Sequence, residues 1–153
     1  MTETCPSWLS RAFALLGGCG VALGAFGAHA LKDLRSPQQI ETWKTATLYL
    51  LVHAAVGTVL TLIARSSALK TEKVQPVTTE MPTTPRTQWV KIPNLALYLF
   101  FVGSLIFTGA LYGLVLIQLS PLGAVAPLGG LMLISGWLVL ALRLRTCSAD
   151  PQE

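Results

Sequence analysis

Charge is what this chain has least of. Only 12% of its 153 residues are Asp, Glu, Lys or Arg, where a soluble domain carries about 25%. A water-covered surface needs more than that, so an ordinary soluble fold is excluded. The few acids also avoid the apolar runs, and Asp33 and Glu41 fall together in one short polar stretch. Ion-coupled pumps and transporters commonly work through an intramembrane carboxylate, and its absence weighs against that class. Cysteine is scarce as well. Cys5, Cys19 and Cys147 are far apart, with no CxxC and no Cys/His cluster, a pattern of inert thiols rather than of a zinc site. There is no Ser-His-Asp order and no Gly-x-Ser-x-Gly elbow. No basic patch interleaved with aromatics is present to bind nucleic acid. The chain is therefore read as a non-enzyme with no metal, no cofactor and no nucleic-acid partner.

What is there is apolar: 52% of the residues, concentrated in four blocks. About 20 such residues at 1.5 Å each cross a hydrocarbon core of about 30 Å. The blocks predict spans over residues 9–30, 45–64, 94–117 and 122–144. The fold class is all-α, a polytopic membrane protein with four transmembrane helices in one small bundle, and the lipid bilayer is its first partner. The first block lacks a good Ala-x-Ala cleavage site, so it reads as a retained span and not as a removed signal peptide. Trp8, Trp43 and Trp89 are expected at the water–lipid interfaces. Ser36-Pro37-Gln38-Gln39 predicts a helix start with a capping box before the second span. Asn94, after Pro93, is the expected N-cap of the third. Residues 65–93 hold four prolines and a Thr-rich run with no clean period, and read as a flexible loop.

The first span carries five glycines, each worth about 0.8–1.0 kcal/mol against a water-soluble helix. In a bilayer small residues instead let helices approach. Gly17, Gly20, Gly24 and Gly27 recur at spacings of three and four and share one face, and Gly20-x-x-x-Gly24 is a packing motif within it. Gly109-x-x-x-Gly113 is a second such motif, in the third span. Pro127, with Gly129 and Gly130, predicts a kink in the fourth span and not an end, because the apolar run continues past it.

His29 and His53 are the only histidines. An ionisable residue in lipid is a functional candidate, so His29, His53, Tyr49 and Tyr112 form the candidate polar set. Tyr49 and His53 are spaced i, i+4 and can touch. In an antiparallel pair His53 would lie about seven residues deeper than His29, roughly 10 Å at helical rise. That offset works against one haem shared between them. The plainer reading is that each imidazole bonds a neighbouring Tyr, Thr or backbone carbonyl and locks helices together. A proton or quinone site using His53 with Tyr49 or Tyr112 is the alternative.

Four spans put both termini and the long loop on one side. That side holds Arg11, Arg65, Lys70, Lys73, Arg86, Lys91, Arg143 and Arg145; the other holds Lys32, Arg35 and Lys44. The positive-inside bias places both termini in the cytoplasm, and the setting is read as a bacterial plasma (inner) membrane.

Gly24-Ala25-Phe26-Gly27-Ala28-His29-Ala30-Leu31-Lys32 resembles the signature of a small membrane-protein family, domain of unknown function 423, which includes transmembrane protein 256 of animals. Three further blocks fall in the family's order. They are Trp43-Lys44-Thr45-Ala46 with Tyr49 and His53-Ala54, then Phe107-Thr108-Gly109-Ala110-Leu111-Tyr112, then Ala126-Pro127-Leu128-Gly129-Gly130 with Gly136-Trp137. The loop over residues 65–93 is longer than the family's usual connection. The resemblance implies a four-helix membrane fold and supplies no activity, substrate or catalytic residue. The function expected is that of a non-enzymatic structural or accessory membrane component, packing as a homo-oligomer or within a larger membrane complex. The alternatives are a small-solute permeation protein, with His53 and the Pro127 kink lining its path, and a quinone- or haem-binding redox subunit.

Overall fold

The computed structural model describes residues 6–73, 92–119 and 121–146. It contains four α-helices: α1 (Ser7–His29), α2 (Pro37–Lys73), α3 (Asn94–Leu116) and α4 (Leu122–Thr146). All four are long and apolar enough to cross a membrane, and no strand occurs among the described residues. The helices pack in chain order, α1 on α2, α2 on α3 and α3 on α4. Trp8 of α1 meets Tyr98 and Phe101 near the start of α3. Position 27, late in α1, faces Trp43 early in α2, and position 113, late in α3, faces Leu122 at the start of α4. Consecutive helices are therefore antiparallel, and the start of α1 and the end of α4 share one end of the bundle.

Helix termini mostly follow local chemistry. At α2 the Ser36 backbone N–H donates to Gln39 Oε1 at 3.0 Å, and the Gln39 N–H donates to Ser36 Oγ at 3.3 Å. This is the expected reciprocal capping box. Helix α2 does not stop at the predicted residue 64 but continues to Lys73. Nothing between Arg65 and Lys73 breaks a helix, since the first proline comes at position 76. The first nine residues of the expected loop are thus helical, and 74–91, with Trp89, lie outside the described residues, as do Cys5 and Cys147. At α3 the N-cap is Pro93, with extended backbone and no side-chain cap bond, and Asn94 is already the first helical residue. Helix α3 is capped at its C-terminus by Ile117, and Gln118 takes a left-handed conformation, φ 58°. Arg35, in the α1–α2 connection, donates from its guanidinium to the Leu116 carbonyl at 3.1 Å, occupying one of the acceptors a helix C-terminus leaves open. Helix α4 runs through Pro127 without ending.

The buried seam of α2 runs through Trp43, Thr47, Leu50, Ala54, Gly57 and Thr61, with Ala46 and His53 buried beside it; the 4-3-4-3-4 spacing keeps one stripe turned to its neighbours. Its lipid-side residues, Leu48, Val52, Val59 and Leu62, are exposed. The helix is more apolar outside than inside, as a bilayer permits. At the end nearest the start of α1, Leu9, Phe13, Leu97, Phe100, Leu133 and Leu140 form the main apolar core. Phe13 of α1 lies over Gly57 of α2.

Candidate functional site

Two buried polar clusters hold the helices together, and both are organised by α2. The first begins at Trp43. It was expected at the membrane interface, yet it is 1% exposed. Its ring reaches across to α1, where Gly27 has no side chain to obstruct it: a Cβ at position 27 would overlap the indole. Trp43 Nε1–H donates to the Leu23 carbonyl of α1 at 2.8 Å. One turn on, Thr47 Oγ1 donates back to the Trp43 carbonyl at 3.0 Å. That spends the threonine's single proton, so the 3.0 Å contact with Tyr112 has the tyrosine O–H donating and Thr47 Oγ1 accepting. The rings of Trp43 and Tyr112 also pack, with centroids 4.4 Å apart. Hydrogen bonds at Thr47 and at the Trp43 indole thus link α3 to α2 and α2 to α1.

The second cluster is centred on His53, which is 4% exposed. Its Nδ1 lies 2.8 Å from the Tyr49 carbonyl one turn earlier. A carbonyl only accepts, so the proton sits on Nδ1 and Nε2 is left as an acceptor. Nε2 receives Trp137 Nε1–H of α4 at 3.4 Å. The imidazole stacks on Tyr49, with 18° between planes, and packs against Phe100 of α3. Both ring nitrogens are engaged, and α2, α3 and α4 meet at this residue.

The sequence-derived set is therefore divided. Tyr49 and His53 come together. Tyr112 belongs to the other cluster, with Trp43 and Thr47. His29 ends α1 on an exposed surface, in contact with neither cluster. Tyr49 itself is 41% exposed. No group of three or more His, Cys, Asp or Glu positioned to hold a metal occurs among the described residues.

The glycines divide as well. Gly17, Gly20, Gly24 and Gly27 all face α2, against Ala54, Leu51, Thr47 and Trp43 in turn. The fit is tightest at Gly20 and Gly27, and Gly24 leaves 3.3 Å to Thr47 Cγ2. The α3 motif is half corrected: Gly113 abuts Leu122, but nothing lies within 4 Å of a Cβ at Gly109, which is exposed. Its place at a close crossing is taken by Gly129. A Cβ there would lie 2.7 Å from the Phe107 Cα, and a Cβ at Gly103 would lie 3.2 Å from the Gly129 carbonyl oxygen. Gly129, expected as part of a kink, is thus where the backbones of α3 and α4 approach, whereas Gly130 has only ordinary contacts. Pro127 is exposed beside it.

Trp43, Thr47 and Phe107 were not singled out from the sequence as site residues. For Trp43 and Thr47 the available signal was the 4-3-4-3-4 run through α2, which mixes large apolar, small and polar residues and so lacks a hydrophobic stripe; Phe107, on α3, has no such signal.

Comparison with known proteins agrees with this architecture. A family model described as "Protein of unknown function (DUF423)" matches residues 23–130, which include both clusters except Trp137. The UPF0382 membrane protein of Staphylococcus epidermidis is 33% identical over 86% of this chain and 93% of its own length. The UPF0382 membrane protein YwdK of Bacillus subtilis is 32% identical over 85% and 93%. A UPF0382 membrane protein of Schizosaccharomyces pombe is 29% identical over 81% and 90%. No solved structure matches. With the family model covering the Gly27–Trp43–Tyr112 crossing and relatives aligned along most of both chains, this four-helix integral membrane protein belongs to the DUF423 family, whose curated members are called UPF0382 membrane proteins.

Proposed function

We propose that the protein is a non-enzymatic structural or accessory component of a membrane, working as a packed bundle with itself or inside a larger complex. The observation that carries this reading is that the polar side chains buried within the described spans are satisfied; the buried polar side-chain atom without a partner among the described residues is Arg35 Nε, in the α1–α2 connection. The buried polar side chains Ser10, Thr47, His53, Thr61, Ser104 and Thr108 each hydrogen-bond within the protein. A general base or a solute path needs polar groups free to meet a substrate; here His53 spends one nitrogen on the Tyr49 carbonyl of its own helix and the other on Trp137 of α4. By contrast, only 22–39% of the apolar stretch of each span is buried within the bundle, which leaves broad apolar faces for lipid or for other helices. The cation asymmetry supports cytoplasmic termini, and relatives from Staphylococcus and Bacillus that are called membrane proteins support a bacterial plasma (inner) membrane as the setting.

The test is purification from native membranes in mild detergent after chemical cross-linking, with identification of co-purifying proteins and measurement of absorbance. A defined oligomer or a stoichiometric protein partner is expected, with no chromophore. Solute flux through vesicles containing the pure protein, abolished by His53→Ala, would replace this reading with permeation. A visible absorbance band lost in the same variant would replace it with a redox role.

A further inference from the structure

We propose that the groove between α1 and α2 holds one anionic phospholipid, with an acyl chain along the groove and the phosphate between Lys32 and Lys44. The groove encloses about 520 Å³, within the range of roughly 300–1,000 Å³ typical of small-ligand sites. It exists because Gly24, Gly27 and Ala28 on α1 present almost no side chain, while Leu48 and Leu51 form the facing wall on α2. The polar atoms on its floor are already spent. Trp43 Nε1 donates to the Leu23 carbonyl, and Thr47 Oγ1 is held between the Trp43 carbonyl and Tyr112. What the floor offers is apolar surface, suited to a hydrocarbon chain.

Charge enters at one end only. Lys32 follows the end of α1 and Lys44 lies two turns into α2; both line the groove. Leu51 is seven residues farther along, about 10 Å at helical rise. The two cations therefore stand at headgroup level, with the apolar floor running inward from them. Lys44 pairs with Glu41 at 2.6 Å, and Asp33 adjoins Lys32 in sequence, but neither acid lines the groove. Among the described residues Lys32 has no ion-pair partner. An anion with a hydrocarbon tail matches both ends. A second copy related by a two-fold axis along the membrane normal would instead set the lysines of the two copies against each other, at a like-charge cost.

The experiment reconstitutes the full chain in nanodiscs of equal parts phosphatidylglycerol and phosphatidylcholine, then counts retained lipids and copies by native mass spectrometry. Wild-type protein should retain one phosphatidylglycerol. In K32Q/K44Q the preference for phosphatidylglycerol should fall about tenfold, given that a basic residue near an anionic surface contributes roughly 1 kcal/mol and Lys44 is partly satisfied by Glu41. Arg11→Gln, at the opposite end of the bundle, should leave the preference unchanged. Ala28→Phe, which fills the groove from an exposed position, should eject the lipid with the melting temperature retained. An unchanged preference in K32Q/K44Q, or lipid retained in Ala28→Phe, overturns the proposal. A lipid-free dimer dispersed by Ala28→Phe overturns it in favour of a second copy. Both lysines are exposed, so K32Q/K44Q folds and decides the matter even if Ala28→Phe does not.

Discussion

A glycine here is defined by what stands opposite it. At Gly27 the neighbour is an indole that is buried, bonded to Leu23 and packed on Tyr112, so it has nowhere to move. Gly27→Ala should cost about 1–3 kcal/mol, the range for overpacking a well-filled core, and break the Trp43–Leu23 hydrogen bond. Gly24→Ala meets a single methyl at 3.3 Å and should cost less. Gly109→Ala meets nothing and should be neutral or stabilising, since Ala favours a helix over Gly. Melting temperatures in one detergent should rank the variants Gly109→Ala above Gly24→Ala above Gly27→Ala; equal values for Gly27→Ala and Gly109→Ala would refute the indole contact. Gln118 tests the opposite case. Its φ of 58° lies where a side chain is strained, and Gly is the usual occupant of this position after a helix. Gln118→Gly should therefore raise stability by about 1 kcal/mol, read as a higher midpoint in the same melt.

At the scale of the helix, the α1–α2 and α3–α4 interfaces set glycines of one helix against side chain or backbone of the other, while α2 and α3 meet through the Thr47–Tyr112 hydrogen bond and the His53–Phe100 ring contact. Helix α1 gives Gly27 to Trp43 of α2, while α2 gives Gly57 to Phe13 of α1. Helix α4 gives Gly129 to the backbone of α3 at Phe107 and Gly136 to Phe100. Lipid supplies no hydrophobic drive between helices, so close packing and interhelical hydrogen bonds must do so. The α3–α4 crossing should then be the least tolerant of all, because backbone cannot rotate aside as a side chain can. Gly129→Ala should abolish the monodisperse elution peak, whereas Gly130→Ala, at ordinary contact distance from Phe107, should leave it intact. Similar profiles for the two variants would mean that α3 and α4 do not cross there. His53 joins α2 to α4 by one hydrogen bond and to α3 by a ring contact. Interhelical hydrogen bonds in membranes average about 0.6 kcal/mol, so Trp137→Phe should lower the melting temperature only slightly.

For the whole molecule, the antiparallel order of four helices sets the ends. Ser36 lies at the end holding the α1–α2 connection, and Ser66 lies at the end where α1 starts. In a cysteine-free background, Ser36→Cys should react with a membrane-impermeant maleimide in intact cells, and Ser66→Cys only after permeabilisation. The reverse result would invert the orientation and the positive-inside argument with it. Labelling of both in intact cells would remove the four-span order altogether.

Composition and run length by themselves determined that the chain crosses a membrane four times, because about 20 apolar residues with almost no charge have one stable environment. The Ser36–Gln39 cap and the contact of Tyr49 with His53 were equally legible, since both are local and follow from helical spacing alone. Partner choice across helices was not. Trp43 looked like an interface marker because it stands beside polar residues in sequence, and only the approach of α1, at a glycine sixteen residues earlier, makes it a core residue. Gly109 and Gly129 carry no mark in the sequence to say which faces a neighbour. In water the buried face of a helix announces itself by being apolar; in lipid both faces are apolar and the interior is the smaller and more polar one. The packing faces were therefore decided by tertiary structure, where a side chain and a missing side chain meet.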